Sequence, residues 1–221
     1  MPNEKPNNDL PTVLLTGFDA FGDDAINPSW LAAQALDRET IEGHRVIAAL
    51  LPTEFVASRQ LLTALLRQHK PTLALCLGLA GGRICLSLER IAINVQDARI
   101  ADNVGAQPID IPIVQRGPAA YFSTLPIKAM LQALTASGIP AEVSQTAGTF
   151  VCNHLFYVLM HALKKQHGAI KARGGFVHLP YLPGQGLPCM PLDGMLRGLR
   201  VAITCALTTE SDALFSAGAL N

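Results

Sequence analysis

Residues 145–163, QTAGTFVCNHLFYVLMHAL, place one cysteine, Cys152, between a chain-breaking Gly148 and a long apolar run with the spacing of an amphipathic helix. At a helix start the unpaired backbone N–H groups and the helix dipole favour thiolate, the nucleophilic form of cysteine. Four other cysteines compete with it. Cys76 sits in a buried-strand pattern, Cys85 at the start of an extended segment, Cys189 in a Pro-rich loop and Cys205 near the end of an apolar helix. The ordinary fate of each is that of a small buried hydrophobe. That fate is open to Cys152 as well, and only its position singles it out.

A catalytic thiol needs a base, commonly histidine. His154 lies two positions along the same helix and points elsewhere. His161 and His167 follow farther along, and His44 and His69 sit beside charged surface residues. His178 ends the apolar strand pattern GGFVHLP, the place where a parallel sheet presents its chemistry. A core histidine bonded to a backbone carbonyl is the competing reading. Glu89 is the third candidate, because LSLERIAINV is apolar apart from Ser87, Glu89, Arg90 and Asn94. A carboxylate in such a strand is costly to bury unless paired. It is either a structural partner of Arg90 or Arg99, or the acid that orients the His178 ring and stabilises its imidazolium.

The loop GLAGGR (78–83) has the glycines of a phosphate cradle, but it leads into the extended ICLSLERIAINV and lacks a following Lys-Ser/Thr. A close-approach turn fits it better, and a phosphorylase-like enzyme would find no convincing anion site there.

These residues need a frame that brings residues 89, 152 and 178 together. The spacing predicts strands over 12–18, 45–52, 72–78, 84–95, 141–145 and 174–183. It predicts helices opening at Asn27-Pro28, over 53–70, 126–137, from Cys152 onward, and over 191–207, with residues 98–124 an irregular excursion. Alternating strands and helices define an α/β class: one three-layer α/β/α domain with an open, twisted, mostly parallel sheet over 1–221, of which 1–10 form an N-terminal extension. Apolar residues make up 49% of the 221 and charged residues 15%, so either much of the chain is buried or some of its surface is covered by another subunit. A formal net charge of zero favours neither nucleic acid nor an anionic membrane. The polar N-terminus lacks the pattern of a signal peptide, no apolar run approaches a membrane span, and the five cysteines lack metal-type spacing. The expectation is a soluble protein of the reducing cytoplasm.

Several segments together resemble the pyroglutamyl peptidase I (pyrrolidone carboxyl peptidase) family: VLLTGFDAFG, INPS, AGGR, ERIAIN, DAR, QPID, GPAAYFSTLPIKAM, AGTFVCNH and LPYLP, in order along almost the whole chain. The resemblance implies a cysteine peptidase that removes N-terminal pyroglutamate from peptides through a triad carried by Glu89, Cys152 and His178. It implies an apolar substrate pocket at Phe18 and Phe21, an active-site arginine at Arg99, assembly as a homotetramer, and neither metal nor cofactor. One departure falls beside the pocket: the family's GQAGGR reads GLAGGR, so Leu79 stands where a glutamine is usual. A non-catalytic binder of pyroglutamyl or lactam metabolites is the alternative that would keep the same pocket.

Overall fold

The computed structural model describes residues 10–165 and 172–218; the expected extension over 1–10, apart from Leu10, and His167 lie outside the described residues. The apolar run TVLLTGF forms β1 (Thr12–Phe18), buried along nearly its whole length. The chain then enters α1 (Pro28–Ala35), where Asn27 caps by accepting the Ser29 N–H and Pro28 occupies the first turn. Gly17 permits this turn to seat directly on β1, since a methyl group there would lie 2.4 Å from the Ser29 backbone.

A two-residue strand, β2 (Thr40–Ile41), precedes β3 (His44–Leu51), α2 (Phe55–His69) and β4 (Leu73–Leu79). Then come β5 (Leu86–Glu89), β6 (Ile91–Ile93), β7 (Ala120–Phe122), α3 (Ile127–Ala136), β8 (Ala141–Ser144), α4 (Val151–Lys164), β9 (Arg173–Leu179) and α5 (Leu192–Thr208). The seven-stranded sheet runs β2-β3-β1-β4-β9-β5-β8. Side-chain alternation divides the molecule into layers. Val13, Leu15, Leu77, Val177 and Leu88 join α1, α3 and α5 in one core, while Leu14, Cys76 and Phe176 join α2 and α4 in the other. This is the expected α/β/α sandwich, and among the described residues no helix is long and apolar enough to cross a membrane.

The sheet is more mixed than the sequence pattern implies. Between β4 and β5 there is only a tight turn, Ala80–Cys85, with no crossover helix, so the chain runs back and β5 pairs antiparallel with β9. β5 then pairs parallel with β8. The single extended segment expected over 84–95 divides at Arg90. Its second half, β6, leaves the main sheet and pairs with β7, which lies within the excursion expected to be irregular.

Helix α3 begins at Pro126, which offers no side-chain cap. Asp212, from the segment after α5, supplies one in trans: its Oδ1 accepts from the N–H groups of Lys128 at 3.1 Å and Ala129 at 2.9 Å. Asp212→Ala should therefore lower stability by about 1 kcal/mol, the usual cost of a lost cap. Urea unfolding of the variant beside wild type checks this, with a shifted midpoint and an unchanged slope expected.

Candidate active site

His178 lies one residue from the end of β9, in register with Gly78 of β4 and Ser87 of β5. Strand alternation turns it, with Phe176, toward the α2–α4 layer. Glu89 is two residues along β5 from Ser87, on the same face, and this diagonal offset lets its carboxylate reach the ring. Glu89 Oε1 lies 2.7 Å from His178 Nδ1, and the carboxylate is 0% exposed. With Nδ1–H donating to Glu89, Nε2 is left as the acceptor of the other proton. The Phe176 ring holds the imidazole from the side, with centroids 4.8 Å apart.

Cys152 is the second residue of α4, whose N-cap Phe150 is extended and makes no side-chain cap bond. Gly148, at φ 77°, turns the chain into the helix. Two anchors fix the helix start. The backbone N–H of Asp97 donates to the carbonyl of Thr149, whose hydroxyl donates back to the carbonyl of Asp97. Asn153 Oδ1 accepts from the N–H of Ile93, and its Nδ2 donates to the carbonyls of Ile93 and Val95. The sulfur thereby lies over Gly78: a methyl group on that glycine would come 2.8 Å from the Phe176 ring and 3.0 Å from Cys152 Sγ. Since Gly78 is the register partner of His178, the thiol of α4 packs against the sheet face that carries the imidazole.

Beside the sulfur opens a cavity of about 170 Å³ walled by Phe18, Phe21, Phe150 and Leu79, with Cys152 on its surface. The Phe21 and Phe150 rings meet at 5.3 Å. Of the residues singled out from the sequence, Glu89, Cys152 and His178 thus converge, and Phe18, Phe21 and Leu79 border the cavity. Arg99 does not join them. It lies two residues beyond Asp97, which is anchored to Thr149, but it is exposed and does not line the cavity. Neither Arg90 nor Arg99 is the partner of Glu89. Arg90 donates to the carbonyl of Ala217, whereas Arg83, from the glycine turn, places Nη1 2.8 Å from Glu89 Oε1. Arg83 and Phe150 are the residues that the sequence reasoning passed over, although both sit inside segments it singled out, AGGR and GTFVCNH.

The electrostatics reverse one expectation. Cys152 keeps some surface toward the cavity, and its sulfur packs over Gly78. Burial pushes the thiol up to about 12, the negative charge of Glu89 adds to the rise, and Arg83 opposes it. Desolvation thus works against the helix-start effect and favours the neutral thiol. His154 is unsuited to be its base. It is buried edge-on against Phe55, and burial pulls its pKa down to about 4.

A thiol at a helix start, over the register partner of a histidine held by a buried acid, on a doubly covered α/β sheet, brings together the group types that thiol hydrolases use. Comparison with known proteins carries this further. The family model described as pyroglutamyl peptidase matches residues 11–209. The pyrrolidone-carboxylate peptidase of Cupriavidus taiwanensis is 54% identical over 217 residues, spanning 96% of this chain and 100% of that protein. Its Bacillus cereus counterpart is 51% identical over 208 residues, spanning 92% and 96%. The crystal structure of pyroglutamyl peptidase I from Bacillus amyloliquefaciens superposes with a TM-score of 0.88 at 43% identity, covering 92% of this chain and 100% of that one. The chain belongs to the pyroglutamyl peptidase family.

A neutral thiol with a pKa near 12 gains thiolate about tenfold per pH unit. The alkylation rate of Cys152 by iodoacetamide in the free protein, followed by mass spectrometry of its peptide, should therefore keep rising through pH 9. A plateau beginning near neutral pH would mean that thiolate already exists at rest.

Proposed function

We propose that this protein is a cysteine-type omega-peptidase that hydrolyses N-terminal pyroglutamate from peptides, as a single peptidase domain. The observation that carries the reading is the placement of Cys152 Sγ over Gly78, the register partner of a His178 ring bonded to buried Glu89. The cavity beside the sulfur supports the substrate class. Pyroglutamate is a five-membered lactam with an apolar face and no free α-amine, so a small aromatic-walled cavity can take its ring where an aminopeptidase would lack its anchor.

In this mechanism the lactam ring sits between Phe21 and Phe18, and the carbonyl linking it to the next residue faces Sγ. His178 Nε2 takes the thiol proton as sulfur attacks, which meets the need set by the raised thiol pKa. The negative oxygen of the tetrahedral intermediate is held by backbone N–H groups of the first turn of α4. His178 returns the proton to the departing amine, and the C–N bond breaks to leave a thioester on Cys152. Water, deprotonated by His178, then cleaves the thioester, releasing pyroglutamate and restoring the thiol. Glu89 keeps Nδ1 protonated and offsets the imidazolium charge in both halves. The reading gives Arg99 no chemical step. Leu79 offers the ring an apolar wall where a glutamine is usual. A homotetramer in the cytoplasm is the setting the family resemblance suggests. Val104, Ile109 and Phe122 are exposed apolar side chains of the kind another subunit would cover.

Release of a chromophore from a pyroglutamyl amide tests the proposal directly. Wild type should cleave it, and Cys152→Ala should fold with a near-native melting temperature yet lose essentially all turnover. Substantial cleavage by purified Cys152→Ala would refute the assignment. Glu89→Gln keeps shape but presents an amide to His178. In the serine-protease template the comparable change costs about 10⁴ in kcat, and a thiol, more readily ionised than a hydroxyl, should lose on the order of 10². Near-normal kcat in folded Glu89→Gln would reduce Glu89 to a structural ion-pair partner.

A further inference from the structure

The glycine turn after β4 presents a cation to the buried acid. Gly82 takes φ +83°, and Gly81 lies so close to Tyr181 that a methyl group there would stand 2.3 Å from the phenol oxygen. The turn closes with the N–H of Arg83 donating to the carbonyl of Ala80. This geometry aims the Arg83 side chain inward. Nη1 meets Glu89 Oε1 at 2.8 Å, and Nη2 donates to the carbonyl of Thr146 at 3.2 Å, in the segment leading to Cys152. Arg83 therefore ties together the acid and the approach to the nucleophile. The same Oε1 holds His178 Nδ1 at 2.7 Å, while Oε2 makes no hydrogen bond among the described residues.

We infer that Arg83 is a positioning residue of the peptidase reaction: it holds the Glu89 carboxylate charged and oriented so that Glu89 can hold His178. The inference rests on the peptidase reading above. The physical need is clear from burial. Glu89 has no contact with water, and a carboxylate so placed stays ionised only with a partner. His178 alone cannot fill that place throughout turnover, because it is neutral whenever it acts as the base. Arg83 carries its charge at every stage and keeps its side chain 26% exposed, so it is itself partly solvated. The remaining titratable groups about Glu89 do not substitute. Cys152 on α4 is neutral at rest, and Glu142 on β8, 4.0 Å from Arg83, bears the wrong sign and is engaged by the Ser87 hydroxyl.

A double-mutant cycle on the full chain tests this, using wild type, Arg83→Gln, Glu89→Gln and the double variant on a pyroglutamyl amide. Arg83→Gln should lower kcat on the order of tenfold or more, with KM changed less than about threefold, and should move the acidic limb of the kcat profile to higher pH. Arg83→Lys, which keeps the charge but loses the planar fork, should recover part of the loss. In the Glu89→Gln background, Arg83→Gln should cost less than about threefold further, because its target is gone. An undiminished loss in that background, or wild-type kcat in folded Arg83→Gln, would overturn the inference. A readout free of catalysis separates its failure from failure of the peptidase reading. In Cys152→Ala, the proton NMR signal of the His178 Nδ1–H hydrogen bond should weaken or vanish when Arg83 becomes Gln. If wild type fails to cleave the amide, the function falls while this signal still decides Arg83; an unchanged signal overturns the inference whatever the activity.

Discussion

A single buried negative charge organises this half of the molecule. Glu89 is wholly withdrawn from water within a seven-stranded sheet, where an isolated carboxylate would cost on the order of several kcal/mol, a large share of a domain's net stability. Its two partners, His178 and Arg83, arrive on different elements, a strand end and a glycine turn, and each constrains the chain that carries it. The reversal of β5 against β9 is what makes the arrangement possible. A parallel β5 would have required a crossover helix in place of the short turn, and Arg83 would then have had no position beside the acid.

The second constraint is the close approach of α4 to the sheet. Gly78 lacks the side chain that would fill the space shared by Phe176 and Cys152, and Asn153 binds the helix start to the backbone of β6 and the residue pair beyond it. The segment just before the excursion over residues 98–124 is thereby part of the site's architecture. Asp97 frames the helix start through Thr149, while the excursion leaves apolar side chains, such as Val104 and Ile109, at the surface.

These two constraints explain which parts of the structure were legible in the sequence. The strands through Val13, Leu75 and Val177 are buried on both faces, and the helices at Phe55, Met130 and Leu199 have one apolar stripe, so periodicity located them to within a residue or two, except that β9 ends at Leu179, four residues before the expected 183. Cys152, His178 and Glu89 were visible because each breaks a local rule: a thiol at a helix start, a histidine ending an apolar strand, a carboxylate inside one. The antiparallel sense of β5 and the pairing of β6 with β7 were not visible, because strand direction is set by tertiary pairing and three-residue strands carry too little pattern. Arg83 was missed for a related reason. Sequence proximity pointed to Arg90, but adjacent residues of a strand face opposite ways, and the partner of this buried acid comes from the glycine turn that leads into β5.

The raised thiol pKa follows from the same burial that shapes the site, and it bears on how the reaction is controlled. A helix start alone would favour thiolate, but the sulfur is desolvated over Gly78 and lies near the Glu89 charge, and both favour the neutral thiol. A neutral thiol is a poor target for oxidants and adventitious electrophiles. Under the proposed mechanism, the thiol becomes a strong nucleophile only when a carbonyl stands over it and His178 can pass its proton onward. In that mechanism the buried acid has two opposed effects. It hinders thiolate directly through its charge, and it promotes attack indirectly by holding the base. The indirect effect must outweigh the direct one for the site to turn over, and a cation beside the acid helps on both counts, since Arg83 offsets the charge felt at sulfur while leaving the bond to His178 intact.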